Sequence, residues 1–221
     1  MSRVSHELRT PLNAILGFGQ LLQQGGPALP AVRSQAFAGH VVQAGQHMLA
    51  LVDDLLELQR LEQGRVALNR QPVQLHTLLK SCADLLAPAA AAAEVDLLVA
   101  GDPALLVHSD ERCLRQLLLN LGSNAVKYGR PAQGRGRVVL AAERMGQQVR
   151  LHVSDSGMGI APEQLQRLFQ PFERLGQEGG ATPGSGLGLV ISRHLAQLLG
   201  GEVSLDSRPG RGTTATVQLP A

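Results

Sequence analysis

The apolar residues Val4, Leu8, Ile15 and Leu22 recur at helical spacing. They predict a first helix from near the start of the chain to about Gln24, where Gly25-Gly26-Pro27-Ala28-Leu29-Pro30 breaks the pattern. Along a second helix, Val41, Ala44, Met48, Leu51, Leu55, Leu58 and Glu62 alternate three and four apart, and all but the last are apolar. That is a heptad seam. Two helices with one stripe each cannot bury both as a lone hairpin. Pairing with a second copy into a dimeric four-helix bundle solves this, as would packing of the hairpin on the rest of the chain. The length of the seam favours the homodimer.

Gly64 ends the second helix, and residues 65–75 alternate well enough for a strand, with Pro72 marking an edge. A domain boundary near residue 68 divides a helical hairpin (1–67) from a second domain (68–221). The second domain alternates strands and helices. A helix over 76–92 is followed by short strands at 95–99 and 105–109. The next helix runs from Asp110, a good N-cap, to Tyr128. Residues 138–144 and 149–154 read as a hairpin about Gly146, and a short helix covers 162–169. After a glycine-rich loop, a helix over 186–199 stops at Gly200-Gly201, and strands at 203–206 and 213–219 close the chain. The fold class is multidomain: an α-helical hairpin followed by a two-layer α/β sandwich.

Composition narrows the function. Twenty Lys and Arg against 18 Asp and Glu give a net charge of +2, too balanced for a binder of nucleic acid or anionic membrane. Aromatic content of 2% with no Trp argues against base-stacking platforms. Cys82 and Cys113 lack metal-ligand spacing and fit a reduced, cytoplasmic protein. No apolar run approaches a membrane span, and the region after Met1 is not a signal peptide.

Four stretches carry candidate chemistry. On the first helix His6 and Thr10 share a face, with Glu7 beside them. An imidazole is a good nitrogen nucleophile, and a neighbouring carboxylate can hold one ring nitrogen so that the other attacks. Pro11 should bend the helix just past the histidine. On the helix 110–128, Leu114, Leu117, Leu118, Leu121 and Ala125 form the buried stripe, while Asn120, Asn124 and Lys127 align on another face. Amide oxygens there suit Mg²⁺, which needs few protein ligands when phosphates share its shell, and the lysine suits phosphate. Asp155-Ser156-Gly157-Met158-Gly159-Ile160 follows a strand, so a carboxylate can accept from an exocyclic amine while glycines let backbone approach a ligand. Gly184-Ser185-Gly186-Leu187-Gly188-Leu189 leads into a helix, which makes a phosphate cradle.

The string SHELRTPLNAIL resembles the phospho-acceptor box of sensor histidine kinases. The three later stretches, in this order, resemble the N, G1 and G2 boxes of that family's ATP-binding domain, whose Bergerat-type fold is shared with gyrase, heat-shock and mismatch-repair ATPases. Phe169-Gln170-Pro171-Phe172-Glu173-Arg174 resembles its F box and Gly210-Arg211-Gly212-Thr213 its terminal glycine motif. The resemblance implies that ATP phosphorylates His6, with Glu7 as base or orienter, and that the group passes to an aspartate of a response regulator. It implies phosphatase activity through Thr10. It further implies Asn124 as Mg²⁺ ligand with Asn120 nearby, Lys127 and Arg174 near the phosphates, and Tyr128 by the adenine. Asp155 would read the adenine amine, Gly157 and Gly159 would shape the base pocket, and Gly184, Ser185, Gly186, Leu187 and Gly188 would cover the phosphates. Residues 172–184 would be the ATP lid. A helical extension from a sensor ahead of Val4 is also implied, so the chain reads as the catalytic part of a longer protein. A gyrase- or chaperone-type ATPase would use the same pocket but has no need of the His6 box. A non-catalytic nucleotide-binding scaffold would be expected to have lost Asn124, Asp155 or His6, and all are present.

Overall fold

The computed structural model describes residues 3–26, 29–173 and 184–221. Helix α1 (Arg3–Gly25) runs on through Pro11, and α2 (Ala31–Glu62) folds back along it. Phe18 of α1 stacks on His40 of α2 at 4.6 Å and tilts against Phe37, fastening the two helices. There follow β1 (Gln71–Gln74), α3 (Leu75–Ala92), β2 (Val95–Gly101), β3 (Leu106–Ser109), α4 (Glu111–Tyr128), β4 (Gly136–Met145) and β5 (Gln148–Asp155). The chain continues with α5 (Pro162–Leu165), a 3₁₀ turn (Gln166–Phe169), α6 (Gly188–Leu198), β6 (Glu202–Ser207) and β7 (Thr213–Pro220). Among these residues no helix is long and apolar enough to cross a membrane.

Five strands form one sheet in the order β2-β4-β5-β7-β6, in which β2 and β4 run parallel and the other neighbours antiparallel. Strict alternation on its central strands sends one face inward: Val138, Leu140 and Ala142 on β4, Val149, Leu151 and Val153 on β5, Ala215, Val217 and Leu219 on β7. Against that face lie the apolar stripes of α3, α4 and α6, and all five stripe residues expected on α4 are buried. Cys82 and Cys113 are in this core, and burial pushes both thiols up to about 11. They are inert at neutral pH.

Two expectations are modified. The strand expected over 65–75 is only β1, which pairs with β3 alone. The Asn69 amide leaves the ladder and donates instead to Asp110 Oδ2 at 2.8 Å, while Asp110 Oδ1 accepts from the Cys113 amide at 2.9 Å. One side chain thus caps α4 and ties down the segment that enters the sheet. Burial raises the Asp110 carboxyl, but the Cys113 and Asn69 amides outweigh it and the group lies below its ordinary value. Asp110→Ala is expected to cost about 1–2 kcal/mol in a denaturant titration. Because this pKa is depressed on folding, the wild-type advantage should be present above the unfolded value and fade as pH falls through the folded one.

The heptad seam of α2 also divides. Leu51 and Leu58 are buried and Leu55 packs on the α/β core, so the carboxyl-terminal half of α2 docks on the second domain. Val42, Leu49, Val52 and Leu56, each one position beyond a seam residue, stay exposed with Leu12, Leu16 and Leu21 of α1. An apolar face therefore remains for a partner after the docking has taken its share.

Candidate nucleotide site and acceptor histidine

A cavity of about 650 Å³ opens where α4, the end of β5, the loop after it and the start of α6 converge, a size suited to a nucleotide. Helix α4 contributes Asn120, Asn124, Lys127 and Tyr128, all carried off the buried stripe by the helical period. Asp155 ends β5 at the cavity wall. Its Oδ1 accepts from the amides of Gly157 at 2.8 Å and Thr213 at 3.2 Å, whereas no donor among the described residues reaches Oδ2. The carboxylate is therefore aimed, with one oxygen fixed and one left to accept from a ligand. Burial pushes this carboxyl above its ordinary value, and the two amides pull the other way.

The glycines of the first loop are required by close packing. A Cβ on Gly157 would collide with the Tyr128 carbonyl oxygen, so this residue locks β5 to the end of α4 and does not itself line the cavity. Gly159 does line it, at φ +66, with the Arg208 carbonyl where a side chain would stand. At the other end Gly184, Ser185, Gly186 and Gly188 border the cavity before α6 starts at Gly188, two residues later than expected. Leu187, by contrast, is wholly buried beneath the loop. The Lys127 ammonium reaches this loop, 3.8 Å from where a Gly184 Cβ would lie. Charge and helix start thus converge on one end, and the Asp155 acceptor marks the other.

The F-box segment closes a side. Phe172 takes the left-handed conformation (φ +63) and its amide donates to the Gly186 carbonyl at 3.1 Å. Arg193 of α6 lies 5.3 Å over the Phe169 ring, and Arg167 binds both oxygens of the buried Glu173 at 3.2 Å. Arg174 and the lid residues 174–183 lie outside the described residues.

Sequence reasoning missed the contribution of α2. Gln43, Gln46, His47 and Asp54 line the same cavity. No local pattern reports this, because it depends on how the hairpin docks. Ser123, Met158 and Thr213 were also missed, although they neighbour predicted positions.

His6, Glu7 and Thr10 are gathered elsewhere, on α1, and do not line the cavity. The His6 side chain is 74% exposed, and its Nδ1 lies 3.5 Å from Glu7 Oε1, leaving Nε2 without a hydrogen bond among the described residues. Thr10 Oγ1 donates to the His6 carbonyl at 3.3 Å. The structure therefore holds the exposed histidine turn and the cavity as two separate assemblies.

The residues fit a magnesium nucleotide. Asn120 Nδ2 is buried without a partner among the described residues, an orphaned polar group facing a cavity that calls for a polar occupant. A carboxylate acceptor, amide side chains, a lysine and a glycine-bordered helix start make up the rest of the donor set.

An open sheet backed by α4 and α6, with the nucleotide cavity between them, joined to a hairpin bearing an exposed histidine, defines an ATP-binding domain attached to a phospho-acceptor helix pair. Residues 109–221 match the family of histidine kinase-, DNA gyrase B- and HSP90-like ATPases, and residues 1–64 match the His Kinase A (phospho-acceptor) domain. The chain belongs to the histidine kinases and comprises their catalytic core. It is 37% identical over 223 residues to the sensor protein GacS of Pseudomonas syringae pv. syringae, covering 99% of this chain and 24% of that protein. It is likewise 37% identical over 221 residues to the histidine protein kinase DivJ of Caulobacter vibrioides, covering all of this chain and 36% of the relative. The crystal structure of full-length ShkA in complex with AMPPNP superposes with a TM-score of 0.73 at 34% identity, covering 98% of this chain and 44% of that one. The chain thus spans about a quarter to a third of the curated relatives' lengths.

Proposed function

We propose that this chain transfers the γ-phosphoryl group of ATP to His6 as an ATP:protein-L-histidine phosphotransferase, then passes it to an aspartate of a response-regulator receiver domain. Residues 1–67 act as the acceptor and dimerisation hairpin and residues 68–221 as the ATP-binding domain. The observation that carries this reading is the joint presence of an exposed His6 braced at Nδ1 by Glu7 and a cavity ending in the aimed carboxylate of Asp155.

Asp155 Oδ2 accepts the exocyclic amine of adenine, with Gly159 and Tyr128 bordering the base. Lys127, the 184–188 loop and the α6 start hold the phosphates. Asn124, with Asn120 nearby, would hold Mg²⁺, which when bound neutralises phosphate charge. At the acceptor, Glu7 takes the Nδ1 proton in a hydrogen bond, so that Nε2 carries the free lone pair. Nε2 forms the bond to the γ-phosphorus as the bond to the ADP oxygen breaks, and Glu7 stabilises the charge left on the ring. The phosphorus–nitrogen bond is reactive enough to pass the group on to a carboxylate. The exposed apolar face of both hairpin helices suits a second copy, giving a homodimer. ATP as donor places the reaction in the cytoplasm.

Incubation with γ-labelled ATP tests the proposal directly. Label that is stable to alkali and lost in acid is expected; acid-stable label, or ATP hydrolysis with no label on the protein, would overturn it. Thr10 stands one helical turn from His6, where its hydroxyl can orient water against a phospho-aspartate. Thr10→Ala should leave His6 labelling intact and slow loss of phosphate from the regulator by about 10²-fold. Dephosphorylation at the wild-type rate would remove Thr10 from this role.

A further inference from the structure

Helix α2 does more than pair with α1, because one of the side chains that it sends to the nucleotide cavity grips the phosphate loop. Ser185 Oγ donates to Asp54 Oδ2 at 2.5 Å and accepts from the Leu187 amide at 3.1 Å. Its single proton is committed to the carboxylate. Close by, Gln116 of α4 donates to Glu57 Oε2 at 3.4 Å, and Leu58 is buried in the α/β core by the same docking. A negative charge therefore stands at the end of the cavity where glycine amides, Lys127 and a helix start gather to receive anions. In this arrangement α2 walls the cavity, while His6 lies outside it.

We propose that Asp54 is a latch sensitive to the phosphate chain: docking of α2 through Asp54–Ser185 and occupancy of the 184–188 loop by terminal phosphates oppose one another. The inference rests on the reading of the cavity as an ATP site. Two anions compete for one small set of donors, and the cavity's partial enclosure strengthens their repulsion relative to open water. A nucleoside that fills only the Asp155 end leaves the Ser185 contact intact. A triphosphate instead displaces Asp54, loosens α2 and frees the α/β unit to bring its nucleotide to His6. By reciprocity, the closed latch weakens triphosphate binding by the same factor as triphosphate weakens the latch, so opening the latch tightens that binding.

Hydrogen exchange and nucleotide affinity, measured on the full chain, test this together. AMPPNP with magnesium should speed exchange of the α2 amides over 47–58, and adenosine should not. Asp54→Ala should show that faster exchange with no nucleotide present and bind AMPPNP about five- to tenfold tighter, at unchanged adenosine affinity. Asp54→Asn, which keeps the shape and an acceptor but loses the charge, should shift affinity in the same direction. Protection of residues 47–58 by AMPPNP, or unchanged or weaker AMPPNP binding in Asp54→Ala, would overturn the latch while leaving the ATP site standing. Failure of the wild-type chain to bind AMPPNP would overturn both.

Discussion

His6→Gln is expected to reduce phosphate labelling to background while leaving the ATP dissociation constant within about twofold of wild type. Glutamine keeps a polar side chain of similar reach but has no nucleophilic nitrogen lone pair, because its amide nitrogen is delocalised into the carbonyl. The His6 side chain is 74% exposed and, among the described residues, its ring bonds Glu7 alone while its backbone carbonyl accepts from Thr10, so its replacement disturbs no core packing. The nucleotide cavity is lined by residues of α2, α4, α5, α6, β5, β6, β7 and the loops between them, with no residue of α1 among them. Labelling and binding should therefore separate cleanly. Label persisting on the variant would place the acceptor elsewhere, and a large loss of affinity would join the two assemblies that the structure holds apart.

Asp155→Asn should act in the opposite sense. The asparagine oxygen can still accept from the Gly157 and Thr213 amides, but its nitrogen then occupies the place of Oδ2 and meets the adenine amine donor to donor. Losing a hydrogen bond to a charged acceptor costs about 1.5–3 kcal/mol, or roughly a ten- to hundredfold loss of ATP affinity. Labelling of His6 should fall in parallel at subsaturating ATP. The empty protein should melt no lower than wild type. A carboxyl whose pKa is raised on folding contributes stability below its unfolded value and loses it as pH rises through the folded one. Once ionised, the half-buried Asp155 carboxylate is therefore a cost that the empty fold carries for the sake of its ligand. The difference in melting temperature between variant and wild type should shrink as pH falls. Calorimetric titration with ATP and thermal melts across pH measure both effects; unchanged affinity would reassign the base end of the cavity.

How far the sequence could be read depended on whether a feature was local. The α4 stripe, its Asp110 cap and the alternation of β4, β5 and β7 are written in spacings of a few residues, and each was legible. The glycine loops and Asp155 were legible because a strand end and a helix start place them whatever else the chain does. Residues 65–70 misled because alternation signals a strand only if a partner exists, and Asp110 captures the Asn69 amide instead. On α2 the period identified apolar positions without saying what would cover them. Leu58 reads as dimer seam, yet it lies in the core of the chain's own second domain, with Leu55 packed against it. The approach of Asp54 to Ser185 spans 131 residues and leaves no mark in either neighbourhood.

The placing of Tyr128 has a spectroscopic consequence. The chain holds one tyrosine and no tryptophan, and that tyrosine borders the cavity at its base end. Emission excited in the tyrosine band therefore originates from a single ring, and in the proposed binding mode that ring stands where a purine arrives. Arrival of the base changes the ring's solvent contact and offers a stacking quencher, so intensity tracks filling of the base end without dye or mutation. Adenosine and AMPPNP, which differ only beyond the ribose, would share this optical signal. Any divergence between their optical and exchange responses would then belong to the phosphate end alone.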